Sequence, residues 1–183
     1  MRIKFDKVGT GLEAMVTGTS ALAGPALQTA LARALNHTGG VAFTSVKKAL
    51  ARQMGLTQKA LQEDGRSLTK LQAIPGRLSF AVVARGRATN MMLHKARPTR
   101  RGITAYPWGV KHSFGSAFMI PSRSSIFRRK TQARFPLEKL LGPNITKELV
   151  KDAPPEAFEA TVAQRLPKRV AHEVATIAKG ILT

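Results

Sequence analysis

MMLHKARPTRRGITAYPWGVKHSFGSAFMIPSRSSIFRRKTQARFPLEKLLGPNITKELV, residues 91–150, is the stretch whose reading decides the fold. Short apolar runs at 91–96, 103–110, 117–120 and 125–129 are separated by Arg97-Pro98-Thr99, Trp108-Gly109, Phe114-Gly115-Ser116 and Pro121-Ser122-Arg123. Side chains alternate between the two faces of a strand, and the chain must bend or reverse between strands, so this rhythm predicts an antiparallel sheet. The sheet begins upstream, where Leu78, Phe80, Val82 and Ala84 alternate with Ser79, Ala81, Val83 and Arg85. It ends at Gly142-Pro143, read as a fixed surface loop.

Helices flank this centre. Leu27, Ala30, Leu31, Ala34 and Leu35 share one face of a helix that starts at Ser20 or Pro25 and ends at Asn36, with Gly39-Gly40 beyond it. A second helix, 42–54, places Phe43, Val46, Leu50 and Met54 on one stripe and stops at Gly55 as a C′ residue. Thr57 is placed to cap a short third helix reaching Gln62. In the last segment Phe158, Val162, Leu166, Val170, Val174, Ile177 and Ile181 form a stripe spaced by threes and fours. That pattern predicts one long C-terminal helix, capped by Asp152 and kinked at Pro167. The expected fold class is α+β: an antiparallel β-sheet flanked by N-terminal helices and a long C-terminal helix. It is read as a single domain over 1–183, with 1–19 an extended arm, including a short strand in 1–8, and 153–183 the C-terminal helix.

Charge is concentrated rather than merely large. The chain carries 30 Lys and Arg against 10 Asp and Glu, and between Gly65 and Leu137 stand fifteen bases and no acid. Such a segment presents a positive face suited to phosphate, an anionic membrane or an acidic protein surface. With no cysteine, disulfides, thiolate metal sites and thiol nucleophiles are excluded. Asp6, Glu13 and the interruptions from Thr17 to Pro25 spoil a signal peptide and a membrane span, so no membrane partner is expected.

His37, His94, His112 and His172 are scattered away from ligand spacing, and Gly9-Thr10-Gly11 lacks the rest of a phosphate loop. Glu156 and Glu159 suit the dipole at a helix start, and Ser122, Ser124 and Ser125 sit in no nucleophile motif. No catalytic, metal or cofactor site is expected, and the protein is read as not an enzyme. Residues 46–61 resemble a helix-turn-helix, but Gln58, Lys59 and Gln62 beside Glu63 and Asp64 offer little to base edges. The bases that count are Arg85, Arg87, Lys95, Arg97, Arg100, Arg101, Lys111, Arg123, Arg128, Arg129, Lys130 and Arg134, a candidate docking or nucleic-acid surface. Fifteen uncompensated bases repel one another unless an anionic partner covers them, so a partner is expected.

In order along the chain stand AFTSVKKALARQMGL (42–56), HKARPTRRGITAY (94–106), Trp108-Gly109, AFMI (117–120), IFRRK (126–130) and FPLEKLLGPNI (135–145). Together they resemble the prophage minor tail protein Z family, the tail-completion proteins of long-tailed bacteriophages. The most specific piece is the loop motif Pro136, Leu140, Gly142, Pro143 and Ile145, where Leu141 stands for the usual aromatic and Asn144 for the usual Ser. The resemblance covers roughly residues 20–152. It implies a structural virion protein that completes the head-proximal end of the tail tube at the neck. Its partners would be the tail terminator, tail tube and head connector, with packaged DNA within reach. It also implies a homo-oligomer such as a hexameric ring, no cofactor, and a place in the virion after assembly in the host cytoplasm. The alternative is a sequence-nonspecific DNA-binding protein that holds the DNA end at the neck.

Overall fold

A computed structural model describes residues 2–4, 24–62 and 67–181. Its elements are β1 (Arg2–Lys4), α1 (Pro25–Met54), β2 (Ser67–Leu71), β3 (Ala81–Arg85), β4 (Ala88–Asn90), β5 (Arg97–Thr99), β6 (Gly102–Ala105), β7 (His112–Gly115), β8 (Ala117–Ile120), β9 (Ser125–Arg129), β10 (Leu137–Lys139), β11 (Leu141–Asn144), α2 (Ile145–Glu148) and α3 (Ala153–Ile181). The class is α+β: an N-terminal helix, a central antiparallel β region and a long C-terminal helix. Residues 1 and 5–19 of the expected arm lie outside the described residues. The chain clusters into two compact units, one of residues 1–46, 69–83 and 152–183, the other of residues 47–68 and 84–151.

The first unit is built on helix pairing. Leu27, Leu31 and Ala34 of α1 are buried with Leu166 and Val170 of α3, and Leu35, Leu78, Val162 and Val174 close around them. Both periodic stripes therefore do what their spacing predicts, each fully buried Leu or Val contributing roughly 1.5–3 kcal/mol. β1 pairs antiparallel with β3, and β3 lies between β1 and β2. Helix α3 continues through Pro167, and Asp152 has φ 51° rather than the extended backbone of an N-cap. Strand β2 carried no signal in the sequence reading.

One expectation fails here for a clear reason. Gly39-Gly40 does not separate two helices, because α1 runs unbroken for 30 residues. A Cβ on Gly39 would sit 2.5 Å from the Phe80 ring, so this glycine is the space in which Phe80 packs. Gly40 meets nothing within 4 Å. The two glycines should thus respond oppositely to alanine. Gly40→Ala is expected to stabilise by about 0.5–1 kcal/mol through helix propensity alone. Gly39→Ala gains the same term but displaces a buried ring, a strain of about 1–3 kcal/mol, and should be destabilising. Urea unfolding midpoints check this; equal shifts of the same sign would refute the packing account.

Asn36 anchors the chain between β2 and β3. Its side-chain amide donates to the Ala73 carbonyl and its carbonyl oxygen accepts from the Ala73 amide, both at 2.8 Å. Beyond it, Ile74 and Arg77 exchange backbone hydrogen bonds across Pro75-Gly76, with Gly76 at φ 84° as the turn demands. Strand β3 then starts at Ala81 rather than Leu78, and Ala81, Val82, Val83 and Ala84 are all buried. The alternating pattern in the sequence therefore belongs to a strand covered on both faces.

In the second unit α1 ends as expected. Gly55 has φ 71°, its amide reaches the Arg52 carbonyl and the Leu56 amide reaches the Ala51 carbonyl, which is a Schellman closure. Thr57 Oγ1 accepts from the Ala60 amide at 3.2 Å, but it caps only a 3-10 turn, Ala60–Gln62. That turn is too short to serve as a recognition helix. β6 sits between β5 and β7, β9 between β8 and β10, and β11 pairs with β4, all antiparallel. Ala117–Ile120 and Ser125–Arg129 form strands as read. Met91–Leu93 instead forms a 3-10 turn, because the Asn90 side chain accepts from the Met92 amide. Arg97-Pro98-Thr99 is a strand rather than a turn, and the strand from Gly102 stops at Ala105 before Pro107. The core gathers Met91, Ile103, Ala105, Ala117 and Ile126, with Phe114, Met119 and Leu140 against it.

Candidate docking surface

All twelve candidate bases lie in this strand-rich unit, and every one is exposed. Their positions follow from local backbone chemistry. Ser116 takes φ 58°, and its amide donates to the Arg101 carbonyl at 3.1 Å, so β7 bends into β8 at this residue beside the β5–β6 turn. The next residue, Ala117, is paired with Arg128 on β9. Arg101 and Arg128 thus flank two successive residues, and Arg100, Arg129 and Lys130 adjoin them in the chain. Arg97 lies on β5 across from Thr104, which itself faces Ser113. Lys111 precedes β7, Arg123 lies in the turn after β8, and Lys95 takes φ 53° before β5. Arg85 ends β3 and Arg87 precedes β4.

Little holds these charges internally. Among the described residues Arg128 alone of the twelve has a carboxylate partner, Glu138 at 3.3 Å, directly opposite it on β10. Both side chains are about half exposed, so the pair is worth at most about 1 kcal/mol. The Arg129 guanidinium lies over the Phe118 ring at 5.7 Å, and that of Arg134 over Phe135 at 5.8 Å. Residues 128–136 are exposed without interruption and carry Phe135 at 65% exposure. An exposed phenyl ring under the Arg134 guanidinium was not singled out from the sequence, although an aromatic among bases was the available signal.

The Gly142-Pro143 segment is not a surface loop. Leu141–Asn144 is strand β11, with Leu141 opposite Asn90 and Asn144 opposite Ala88 on β4. Pro143 and Ile145 are buried, Leu140 packs against the core, Gly142 is half-buried and Pro136 is exposed. Thr89 Oγ1 donates to the Pro143 carbonyl at 2.9 Å and lies 2.8 Å from His94 Nε2. Since the hydroxyl proton is used on Pro143, Nε2 carries the proton of the second bond. A Cβ on Gly142 would fall 2.5 Å from His94 Nε2 and 2.6 Å from Thr89 Oγ1, so glycine is there to admit both side chains. Asn144 caps α2, its Oδ1 accepting from the Thr146 amide at 2.9 Å. Gly142 and Pro143 of the motif thus belong to an internal seam with Thr89 and His94 that seats the unit's last strand.

No cluster of His, Cys, Asp or Glu among the described residues could hold a metal ion, and no described helix is long and apolar enough to cross a membrane. His94 is committed to the Thr89 seam, and the buried carboxylate Glu148 accepts from Gln53 Nε2 at 2.9 Å. The exposed surface of the strand-rich unit includes the cationic groups and the Trp108 and Phe135 rings, suited to binding by charge and ring contact. No protein-family model, no curated protein and no solved structure matches the chain.

Proposed function

We propose that this protein is a structural adaptor that docks onto an anionic partner through its strand-rich unit, without chemistry. The observation that carries this reading is the combination of twelve exposed bases, one of them balanced by a described carboxylate, with the exposed 128–136 hairpin presenting Phe135. Charge steers the encounter and fixes register, while an apolar ring entering a pocket supplies affinity. On the resemblance to tail-completion proteins, the proposed partner lies at the neck of a long-tailed phage, among tail terminator, tail tube and connector, with the chain proposed to act as a homo-oligomeric ring.

In a phage encoding this chain, blocking its expression is expected to leave filled heads and tail tubes that do not join into infectious particles, with rescue by the chain supplied in trans. Plaque titre and negative-stain microscopy check this. Normal particles without the chain would overturn the proposal. A second reading, nonspecific DNA binding at the neck, is favoured by one feature only: aromatic rings interleaved with the bases beside β7.

A further inference from the structure

Trp108, the chain's single tryptophan, is about half exposed and held at φ 54°, ψ 22°. A non-glycine residue in the left-handed region carries strain, and it persists only where its surroundings impose it. The surroundings are visible. The turn Pro107–Gly109 is seated on Gly55, where a Cβ would come within 2.5 Å of the Gly109 nitrogen and 2.7 Å of the Tyr106 carbonyl oxygen. Gly55 at the end of α1 thus lets the turn approach, and the turn turns the indole outward.

Two further rings continue from it. Trp108 meets His112 edge-on with centroids 6.4 Å apart, and His112 faces Phe114 with centroids 6.3 Å apart and planes within 25°. His112 and Phe114 are two apart on β7, so they share one face of that strand. β7 is an edge strand, bonded to β6 on one side. Lys111 is adjacent at one end of the ladder, and Arg101, whose carbonyl holds Ser116, stands at the other.

We propose that the exposed rings of Trp108 and His112, backed by Phe114 packed against the core, form a base-stacking platform for single-stranded nucleic acid, with Lys111 and Arg101 on its phosphates. This site rests on the nucleic-acid reading of the basic unit and not on the tail-docking one. Three observations select the ligand. Rings offered to solvent bind π-faces, and every nucleobase has two. In a duplex those faces are covered by neighbouring pairs at a rise of about 3.4 Å per strand, whereas the rings here stand 6.3–6.4 Å apart. The exposed Trp108 and His112 rings are moreover inclined by 64°, so bases lying on both must be unstacked from one another, as an extended single strand allows. The chain from Gly65 to Leu137 carries no acid to repel a phosphate backbone.

The test is fluorescence anisotropy of a labelled fifteen-nucleotide oligothymidine against the full chain, with an unlabelled duplex of equal length and polyglutamate as competitors. Tryptophan emission, which reports on one site only, is followed in parallel. Oligothymidine is expected to quench that emission and to bind at least tenfold more tightly than duplex at the same salt. Trp108→Ala and, separately, His112→Ala should each weaken it about tenfold, with circular dichroism and melting unchanged. His112 lies on the exposed edge strand, so its variant tests the platform even if the Trp108 turn does not tolerate alanine.

Equal affinity for single strand and duplex, without quenching, would overturn the platform and leave nonspecific DNA binding standing. Polyglutamate competing as well as oligothymidine per unit charge would show charge alone and overturn it too. No binding to any nucleic acid at low salt would remove both the platform and the DNA reading, and leave tail docking untouched.

Discussion

Replacing Arg128, Arg129 and Lys130 together by Glu is expected to abolish docking, and with it the formation of infectious particles, while the chain stays folded. All three side chains are exposed, and they stand where β9 runs into the 128–136 hairpin. Juxtaposing like charges across an interface costs several kcal/mol, and the reversal converts an attractive rim into a repulsive one. The folded unit loses far less. It forfeits the half-exposed Arg128–Glu138 pair, at most about 1 kcal/mol. It forfeits the Arg129 contact with Phe118, roughly 0.5–1 kcal/mol at such an exposed place. Placing Glu directly opposite Glu138 adds a cross-strand repulsion of about 0.2–1 kcal/mol. Against a total stability of about 5–15 kcal/mol the fold survives.

Plaque titre and a melting curve on the same variant separate the two effects. A companion variant sharpens the result: adding Glu138→Arg restores the cross-strand pair and should recover stability while docking remains impaired. Infectious particles at normal titre from the triple variant would refute the docking surface. Recovery of titre in step with stability would show that the bases act through the fold alone.

Gly142→Val is expected to destabilise the strand-rich unit by about 2–6 kcal/mol, the largest single-residue effect foreseen for this unit. The residue's backbone is not the obstacle; its neighbours are. Thr89 and His94 are both fully buried and hydrogen-bonded to each other, and the space for a Cβ is already taken by His94 Nε2 and Thr89 Oγ1. A branched side chain must push one of them away. That breaks the bond to His94 or the one to the Pro143 carbonyl, and leaves a buried polar group without its partner. Overpacking accounts for about 1–3 kcal/mol and the stranded group for about 1–3 more. Urea unfolding gives the measurement, with Gly115→Val as a control, since Gly115 meets nothing within 4 Å. If Gly142→Val shifted the midpoint no more than the control, the seam would carry no stability and the motif's glycine would need another explanation.

Much of the architecture was legible because it rests on patterns that act locally. The stripes of α1 and α3 are periodic over many turns, and whichever helix they meet, one apolar face must be buried; Leu27, Leu31, Leu166 and Val170 are buried against one another as that requires. Gly55 after Met54 was readable as a helix end because a left-handed C′ residue is a single-residue requirement. β8 and β9 were readable because each is a short apolar run between turn formers.

Where local signals competed, the sequence reading failed. Gly39-Gly40 looks like a stop, and a pair of exposed glycines often is one. Phe80, 41 residues on in the chain, turns Gly39 into a packing site and the helix continues. Gly142-Pro143 looks like a loop until β4 arrives to pair with it and Thr89 and His94 fill the space a side chain would need. Met91–Leu93 alternates well enough for a strand, but Asn90 satisfies the Met92 amide first.

The candidate surface divides in the same way. Its charge was determined by the sequence itself, since a run of bases without acids is cationic in any fold and desolvation keeps such groups outside. Which of those bases adjoin was decided only by the tertiary structure: Arg101 and Arg128 lie 27 positions apart, yet their backbones partner the successive residues Ser116 and Ala117 at the bend from β7 to β8. The ladder of Trp108, His112 and Phe114 is likewise a tertiary fact, because the indole faces outward only after Gly55 has given the turn a place to sit. Composition acts through solvation, residue by residue, and survives any folding. Adjacency depends on long-range packing, and no local pattern encodes it.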